Sequence, residues 1–223
     1  MIELAHVAFG YGKRRLFADV SLSLDEGDFF FLTGPSGAGK TTFMRLCYLD
    51  LLPEKGSVRV FGTEARNLRR DQVALTRQRI GVVHQDCQFL EHLSVAENIA
   101  LPLTVGGREV PVGDLNELLN WVGLSDHRDA LPAQLSGGER QRAALARAVM
   151  MDPDVILADE PTGNIDWDMS KRLLTLLVEL NKMGKAILLA THDLALIRQA
   201  KTQASTRVLR LAGGELQTAG ADL

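Results

Sequence analysis

Phe29-Phe30-Phe31-Leu32-Thr33-Gly34-Pro35-Ser36-Gly37-Ala38-Gly39-Lys40-Thr41-Thr42 is the stretch on which the fold turns. The unbroken apolar run from Phe29 to Leu32 marks a strand covered on both faces, as in a parallel sheet. It ends in glycines and passes into a helical stretch expected over 40–52, with Pro53 after it. Gly34 to Thr41 fits G-x-x-x-x-G-K-[ST] at every fixed position. At average residue usage such a match arises by chance in on the order of 1% of chains this long. Its place between a buried strand and a helix makes it more specific still. Glycines let backbone N–H groups converge on phosphate oxygens without Cβ collisions, and the helix adds its positive N-terminal end. Lys40 is expected to reach the β- and γ-phosphates of a nucleoside triphosphate, and the Thr41 hydroxyl to ligate magnesium. Pro35, Ser36, Ala38 and Thr42 complete the expected cradle with Gly34, Gly37 and Gly39.

Working outward, residues 2–8 and 20–24 alternate with period two and predict strands of an N-terminal antiparallel layer. A short strand is expected over 57–61 and a buried one over Ile80 to Val83. From 86 to 150 the pattern becomes helical, near 94–101, 114–122 and 138–150, with no strand expected. Strand 154–158, helix 169–183, strand 186–190 and helix 193–200 follow. A last hairpin, 206–211 to 215–217, turns at Ala212-Gly213-Gly214. Strands alternating with helices predict an α/β fold of the P-loop NTPase kind. It would have a mostly parallel core sheet, an N-terminal antiparallel β layer and an inserted helical subdomain. The expected organisation is a single domain over 1–223, with 1–85 and 151–223 forming core and β layer and 86–150 the helical subdomain. No repeat, low-complexity tract or tail is expected.

The 223 residues carry 25 basic and 28 acidic side chains, a formal charge of −3. That balance argues against nucleic-acid binding driven by bulk charge. Cys47 and Cys87 lie far apart and outside metal-ligand spacing, so a reducing cytosol suits the chain and neither a disulfide nor a zinc site is expected. The start, MIELAHVAF, lacks the basic and apolar blocks of a signal peptide. Apolar runs such as 186–190 fall far short of the roughly 20 residues of a membrane helix. A soluble chain is expected, with any membrane role exercised through a partner.

Val155-Ile156-Leu157-Ala158-Asp159-Glu160 is an apolar strand ending in a carboxylate pair. Ligands of α/β proteins sit at the carboxyl edge of the sheet. Asp159 is expected to hold magnesium and Glu160 to polarise an attacking water. Alone, such a pair is more often a helix cap or a solvated loop; beside a phosphate loop in one sheet, the catalytic reading prevails.

With Leu135-Ser136-Gly137-Gly138-Glu139-Arg140-Gln141 added, the chain resembles the nucleotide-binding subunits of ATP-binding-cassette (ABC) systems, motif by motif over nearly its whole length. The resemblance implies ATP and Mg2+ as ligands and hydrolysis of ATP. It implies that Ser136, Gly137 and Gly138 face the ATP held by the phosphate loop of a second copy, in a head-to-tail homodimer formed on ATP binding. Read alone, the segment is an ordinary Ser-Gly-Gly helix cap. The resemblance further implies that Gln85 contacts magnesium and the attacking water, and that His192 contacts the γ-phosphate. Asp166 would lie in the loop crossing the dimer interface, though it also reads as an N-cap of the next helix. Tyr11, 29 positions before Lys40, would stack on adenine, as such rings do with little regard for base identity.

Narrower stretches, Ala158 to Asn164 and Ala190-Thr191-His192-Asp193 with Leu196-Ile197, are similar to the cell-division branch of this family. That branch implies an integral membrane partner docked in the groove between the helical block and the core. It places the chain on the cytoplasmic face of the bacterial inner membrane at the division site. The alternative is the ATPase of a lipoprotein-release or macrolide-export transporter, which shares the Thr-Gly-Asn segment. A clamp for which ATP binding matters more than turnover is a further alternative, against which Glu160 and His192 speak.

Overall fold

The structure is a computed structural model that describes residues 1–218. Residues 219–223, on which the expectation of no tail bears, lie outside the described residues.

Strands β1 (Ile2–Tyr11), β2 (Arg14–Leu24), β4 (Lys55–Val60) and β5 (Thr63–Glu64) form an antiparallel sheet in the order β2-β1-β4-β5. Alternation does what it predicts in β2, where Val20, Leu22 and Leu24 are buried and Ser21 and Ser23 are exposed. The second sheet contains β3 (Phe29–Thr33), β6 (Ile80–Val83), β7 (Val155–Asp159), β8 (Ala186–Ala190), β9 (Arg207–Ala212) and β10 (Glu215–Thr218). Its order is β10-β9-β3-β8-β7-β6, parallel except for the β9–β10 hairpin.

Every residue of β3, β7 and β8 is buried, because both faces of this sheet are covered. Phe30, Leu32, Val155, Leu157 and Leu188 pack with Phe17, Val20 and the antiparallel sheet, and with Phe43, Met44 and Leu46 of helix α1 (Lys40–Cys47). Phe29, Phe31, Ile156, Ala158, Ile187 and Leu189 pack on the other side, against helices α3 (Val95–Val105), α4 (Val112–Trp121), α5 (Gly137–Val149), α6 (Trp167–Lys182) and α7 (Leu194–Lys201). Helix α5 reaches the sheet closely: a Cβ on Gly81 of β6 would meet the Ala148 carbonyl oxygen at 2.3 Å.

Register decides where the site lies. Leu32 of β3 pairs with Ala190 of β8, and Ala190 pairs with Asp159 of β7. The three strands therefore end level, and the segments after them, Gly34 onward, Thr191 onward and Glu160 onward, leave the sheet at one edge.

The structure departs from the expected elements at β2, α1 and α2. β2 begins at Arg14 rather than at 20, because Ala18 and Asp19 are both exposed and break its period-two pattern. Helix α1 ends at Cys47 rather than near Leu52, because Leu49 adopts φ +64° and the Asp50 N–H turns back to the Arg45 carbonyl at 2.8 Å. Helix α2 (Arg70–Gln78) was not anticipated; it buries no residue, so no apolar stripe announces it. Within the block from 86 to 150, Asn98 is fully buried on α3. Its Oδ1 accepts the Leu90 N–H at 2.9 Å, and its Nδ2 donates to the carbonyls of Leu90, Leu93 and Ser94 at 3.0 Å. This one amide fixes the segment leading into α3. Asn98→Ala should lower stability by on the order of 2–3 kcal/mol, the cost of stranding buried backbone groups. The urea midpoint measures it, and an unshifted midpoint would contradict the assignment.

Candidate active site

The phosphate loop is held in shape by close packing from both sheets. Gly34 has φ +151°, and a Cβ there would lie 2.3 Å from the Leu211 carbonyl oxygen of β9. Gly39, at φ +102°, would place a Cβ 2.9 Å from the Phe17 ring of β2. Only glycine meets both demands. Pro35 and Ala38 make the loop's internal turn, the Ala38 N–H donating to the Pro35 carbonyl at 3.1 Å. Gly39 caps α1 without a side-chain acceptor, so no side chain competes for the first amides of that helix. Lys40 Nζ donates to the Gly34 carbonyl at 2.9 Å, which keeps its ammonium over the loop.

Around the loop lies a cleft of about 760 Å³ lined by Tyr11, Arg14, Gly34, Ser36, Gly37, Gly39, Lys40, Thr41, Thr42, Gln85, Gln141, Asp159, Glu160, Asn164 and His192, among others. Thr41 Oγ1 donates to Asp159 Oδ2 at 2.5 Å, joining α1 to the end of β7. Burial pushes the Asp159 carboxyl above the ordinary carboxylate range; the Thr41 hydrogen bond opposes this and the neighbouring Glu160 charge adds to it. Glu160 follows at φ +50°, a left-handed backbone in a residue other than glycine. Its N–H donates to the Ala190 carbonyl at 2.9 Å, and its Oε1 accepts from His192 Nδ1 at 2.9 Å. The His192 ring is 79% exposed and the Glu160 side chain 17%, so the ring stands on the open side of the carboxylate.

Tyr11 forms part of the cleft wall. Its hydroxyl accepts from Arg45 Nη1 at 3.2 Å, and its ring meets Phe9 edge-on at 5.2 Å between centroids. Anchored in this way and 47% exposed, it offers a ring at one wall of the cleft. Phe89 lies near the guanidinium groups of Arg140 and Arg147, 5.4 and 4.7 Å from its centroid. Both arginines are on α5, so the segment following Gln85 is fastened to that helix.

Ser136, Gly137, Gly138 and Asp166 are not among the residues lining this cleft. They line a separate shallow depression with Glu139, Arg142, Asn164 and Ile165. Ser136 is the N-cap of α5: its Oγ accepts the Glu139 N–H at 3.3 Å and donates to Glu139 Oε2 at 2.7 Å. The Ser136 hydroxyl and the Ser136 N–H, the latter at 2.8 Å, both donate to the Glu139 carboxylate and hold it below its ordinary range. Asp166 caps α6 by accepting the Met169 N–H at 3.0 Å. The helix-cap readings of both segments are therefore correct for a single copy.

The sequence assigns no role to Arg14 or Gln141, although both line the cleft. Arg14 opens β2 opposite Tyr11, with Nη2 3.8 Å from where a Gly37 Cβ would stand. Gln141 had a legible signal: it shares a helical face with Ala144, Leu145 and Ala148, all buried, and a polar side chain on an apolar stripe requires a partner.

The family model described as ABC transporter matches residues 17–163. The chain is 41% identical over 220 residues to the cell division ATP-binding protein FtsE of Mycobacterium tuberculosis, covering 97% of this chain and 94% of that protein. It is 39% identical over 222 residues to FtsE of Escherichia coli K12, 97% of each, and 37% identical over 205 residues to FtsE of Bacillus subtilis, 90% of each. A dimeric post-hydrolysis ATP-binding cassette bound to ADP and Pi superposes with TM-score 0.88 at 30% identity, over 99% of this chain and 100% of that one. A second dimeric structure of that same cassette, described as a bacterial ABC transporter cassette, superposes with TM-score 0.86 at 30% identity, 97% of each. Phosphate loop, level strand ends and full-length likeness agree: the chain belongs to the ABC transporter family and is an ATP-binding ATPase.

Proposed function

We propose that this chain is the ATP-hydrolysing subunit of a bacterial cell-division complex, working with an integral membrane partner of the FtsX kind at the cytoplasmic face of the inner membrane. Closure of its ATP-bound dimer would pass through that partner to the activation of cell-wall hydrolysis. The likeness to FtsE in three bacteria over nine-tenths or more of the chain supports this over a lipoprotein-release or macrolide-export transporter. Among the described residues no helix is long and apolar enough to cross a membrane, so attachment through a partner is consistent. The helical block 86–150 and the core formed by 1–85 and 151–223 are the units between which that partner would dock.

The observation that carries the catalytic reading is the 2.9 Å contact of His192 Nδ1 with Glu160 Oε1 beside the phosphate loop. Amides of Gly34–Gly39 and the Lys40 ammonium bind the triphosphate, and Tyr11 stacks on adenine. Thr41, Asp159 and Gln85 supply hard oxygen donors, two of them already in contact at 2.5 Å, a set that fits magnesium. Bound there, the ion would neutralise charge on the phosphate oxygens. Glu160 takes a proton from water as the water oxygen forms its bond to the γ-phosphorus and the bond to the β–γ bridging oxygen breaks. His192 orients the carboxylate and meets the γ-phosphate from its exposed side. Ser136, Gly137, Gly138 and Asp166 face the ATP of a second copy, which is why they stand apart from the cleft of their own chain.

Replacing Glu160 by Gln should keep ATP bound and lower turnover by about 10²–10⁴-fold, the usual worth of a positioned base. Ultracentrifugation of that variant should show a monomer without ATP and a dimer with it; equal mass in both conditions would refute the dimer reading. Recovery of an FtsX-like protein with the chain from its own membranes tests the cell-division assignment, and a lipoprotein-release subunit recovered instead would overturn it. Burial raises the Asp159 pKa, so in the nucleotide-free chain this carboxylate costs stability that grows as pH rises from the ordinary carboxylate range through the raised value. Asp159→Asn should therefore raise the thermal midpoint at pH 7, with the gain shrinking as the pH is lowered into that range.

A further inference from the structure

We propose that Gln141 is a positioning residue that ties the catalytic carboxylate of each copy to the helix with which that copy meets its partner's nucleotide. The inference rests on the assignment of Glu160 as the base and of Ser136 to the second copy's ATP.

Gln141 stands one turn into α5 and is 2% exposed. Both ends of its amide are used. Nε2 donates to the backbone carbonyl of Glu160, and Oε1 accepts the Asn164 N–H at 3.3 Å. A buried amide is costly unless such bonds are made, so an apolar residue would serve better if filling space were the whole task. What the bonds hold is a backbone that needs holding. Glu160 sits at φ +50°, a region unfavourable for a residue with a Cβ, and such conformations persist only when their surroundings over-determine them. Here the Glu160 N–H is tied to Ala190, its carbonyl accepts the Gly163 N–H at 3.2 Å, and Gln141 supplies a second donor to that carbonyl.

The same helix is pressed against the following turn. A Cβ on Gly138 would lie 2.6 Å from the Asn164 carbonyl oxygen. Gln141 and Gly138 thus fix the turn Glu160–Asn164 to the first turn of α5, which Ser136 opens. A shift of α5 when it engages the partner's phosphate must move the Glu160 backbone with it. In a dimer this gives each nucleotide a mechanical line, through the buried Gln141 amide, to the carboxylate serving the other.

The test compares two near-isosteric variants with wild type in the full chain. Gln141→Met keeps length and removes both bonds; Gln141→Glu keeps the acceptor for Asn164 and removes the donor to Glu160. Both should bind ATP with KM within about threefold of wild type and lose about 10- to 100-fold in kcat at neutral pH, the scale set by misplacing a catalytic group by an ångström or less. Gln141→Glu should recover relative to wild type as pH falls, because a protonated carboxyl donates again. Wild-type kcat in Gln141→Met, parallel loss of nucleotide binding in both variants, or a flat pH ratio for Gln141→Glu would overturn the proposal. A Glu160→Gln chain hydrolysing at the wild-type rate would instead sink the assignment of the base on which it stands.

Discussion

Backbone amides bind a phosphate only where nothing screens them, and a loop of converging amides holds its shape only if the surrounding structure leaves no room for another. Both conditions meet between Gly34 and Gly39. The loop is pinched between the Leu211 carbonyl on one side and the Phe17 ring on the other, so the C-terminal strand and the N-terminal sheet both bear on it. Neither element supplies the loop itself, yet each fixes its conformation. The site therefore depends on both sheets at once, which accounts for a core continuous on each face of the central one.

Chemistry is divided among strand ends that the register brings level. β3 leads to the loop and β7 to Asp159 and Glu160, while β8, between them, leads to His192. The carboxylate and the phosphate loop thus stand two strand positions apart, with the histidine arising from the strand between. Burial raises the proton affinity of Asp159, while the Thr41 hydroxyl draws the other way. The arrangement holds a concentrated set of oxygen donors whose net charge is suited to a cation and an anionic ligand arriving together.

Much of this was legible because the informative residues are punctuated. Strands β6 and β8 fall where their apolar runs place them, since a strand covered on both faces leaves an uninterrupted run. The motif residues Lys40, Thr41, Glu160 and His192 meet in one cleft, as their strand-end positions required. What was illegible had weaker local signals. Helix α2 shows no apolar stripe, and the left-handed Leu49 that ends α1 is not a residue type that announces such a turn. Gln141 differs: its place on a buried helical face was legible, but its partners are carbonyl and amide groups of a distant turn, 19 and 23 positions away, and backbone groups leave no mark in a sequence. Ser136 and Asp166 show the limit of motif reading in another way, because their capping bonds satisfy them within one copy whatever a second copy contributes.

The adjacent glycines that open α5 look interchangeable on paper and are not. A methyl group at Gly138 would strike the Asn164 carbonyl, whereas at Gly137 nothing stands within 4 Å. The first of these demands is internal carpentry, present before any second molecule arrives; the other position looks onto free volume. An alanine at 138 would thus damage the subunit's own joinery and say little about what docks on it, while an alanine at 137 interrogates the visiting surface alone.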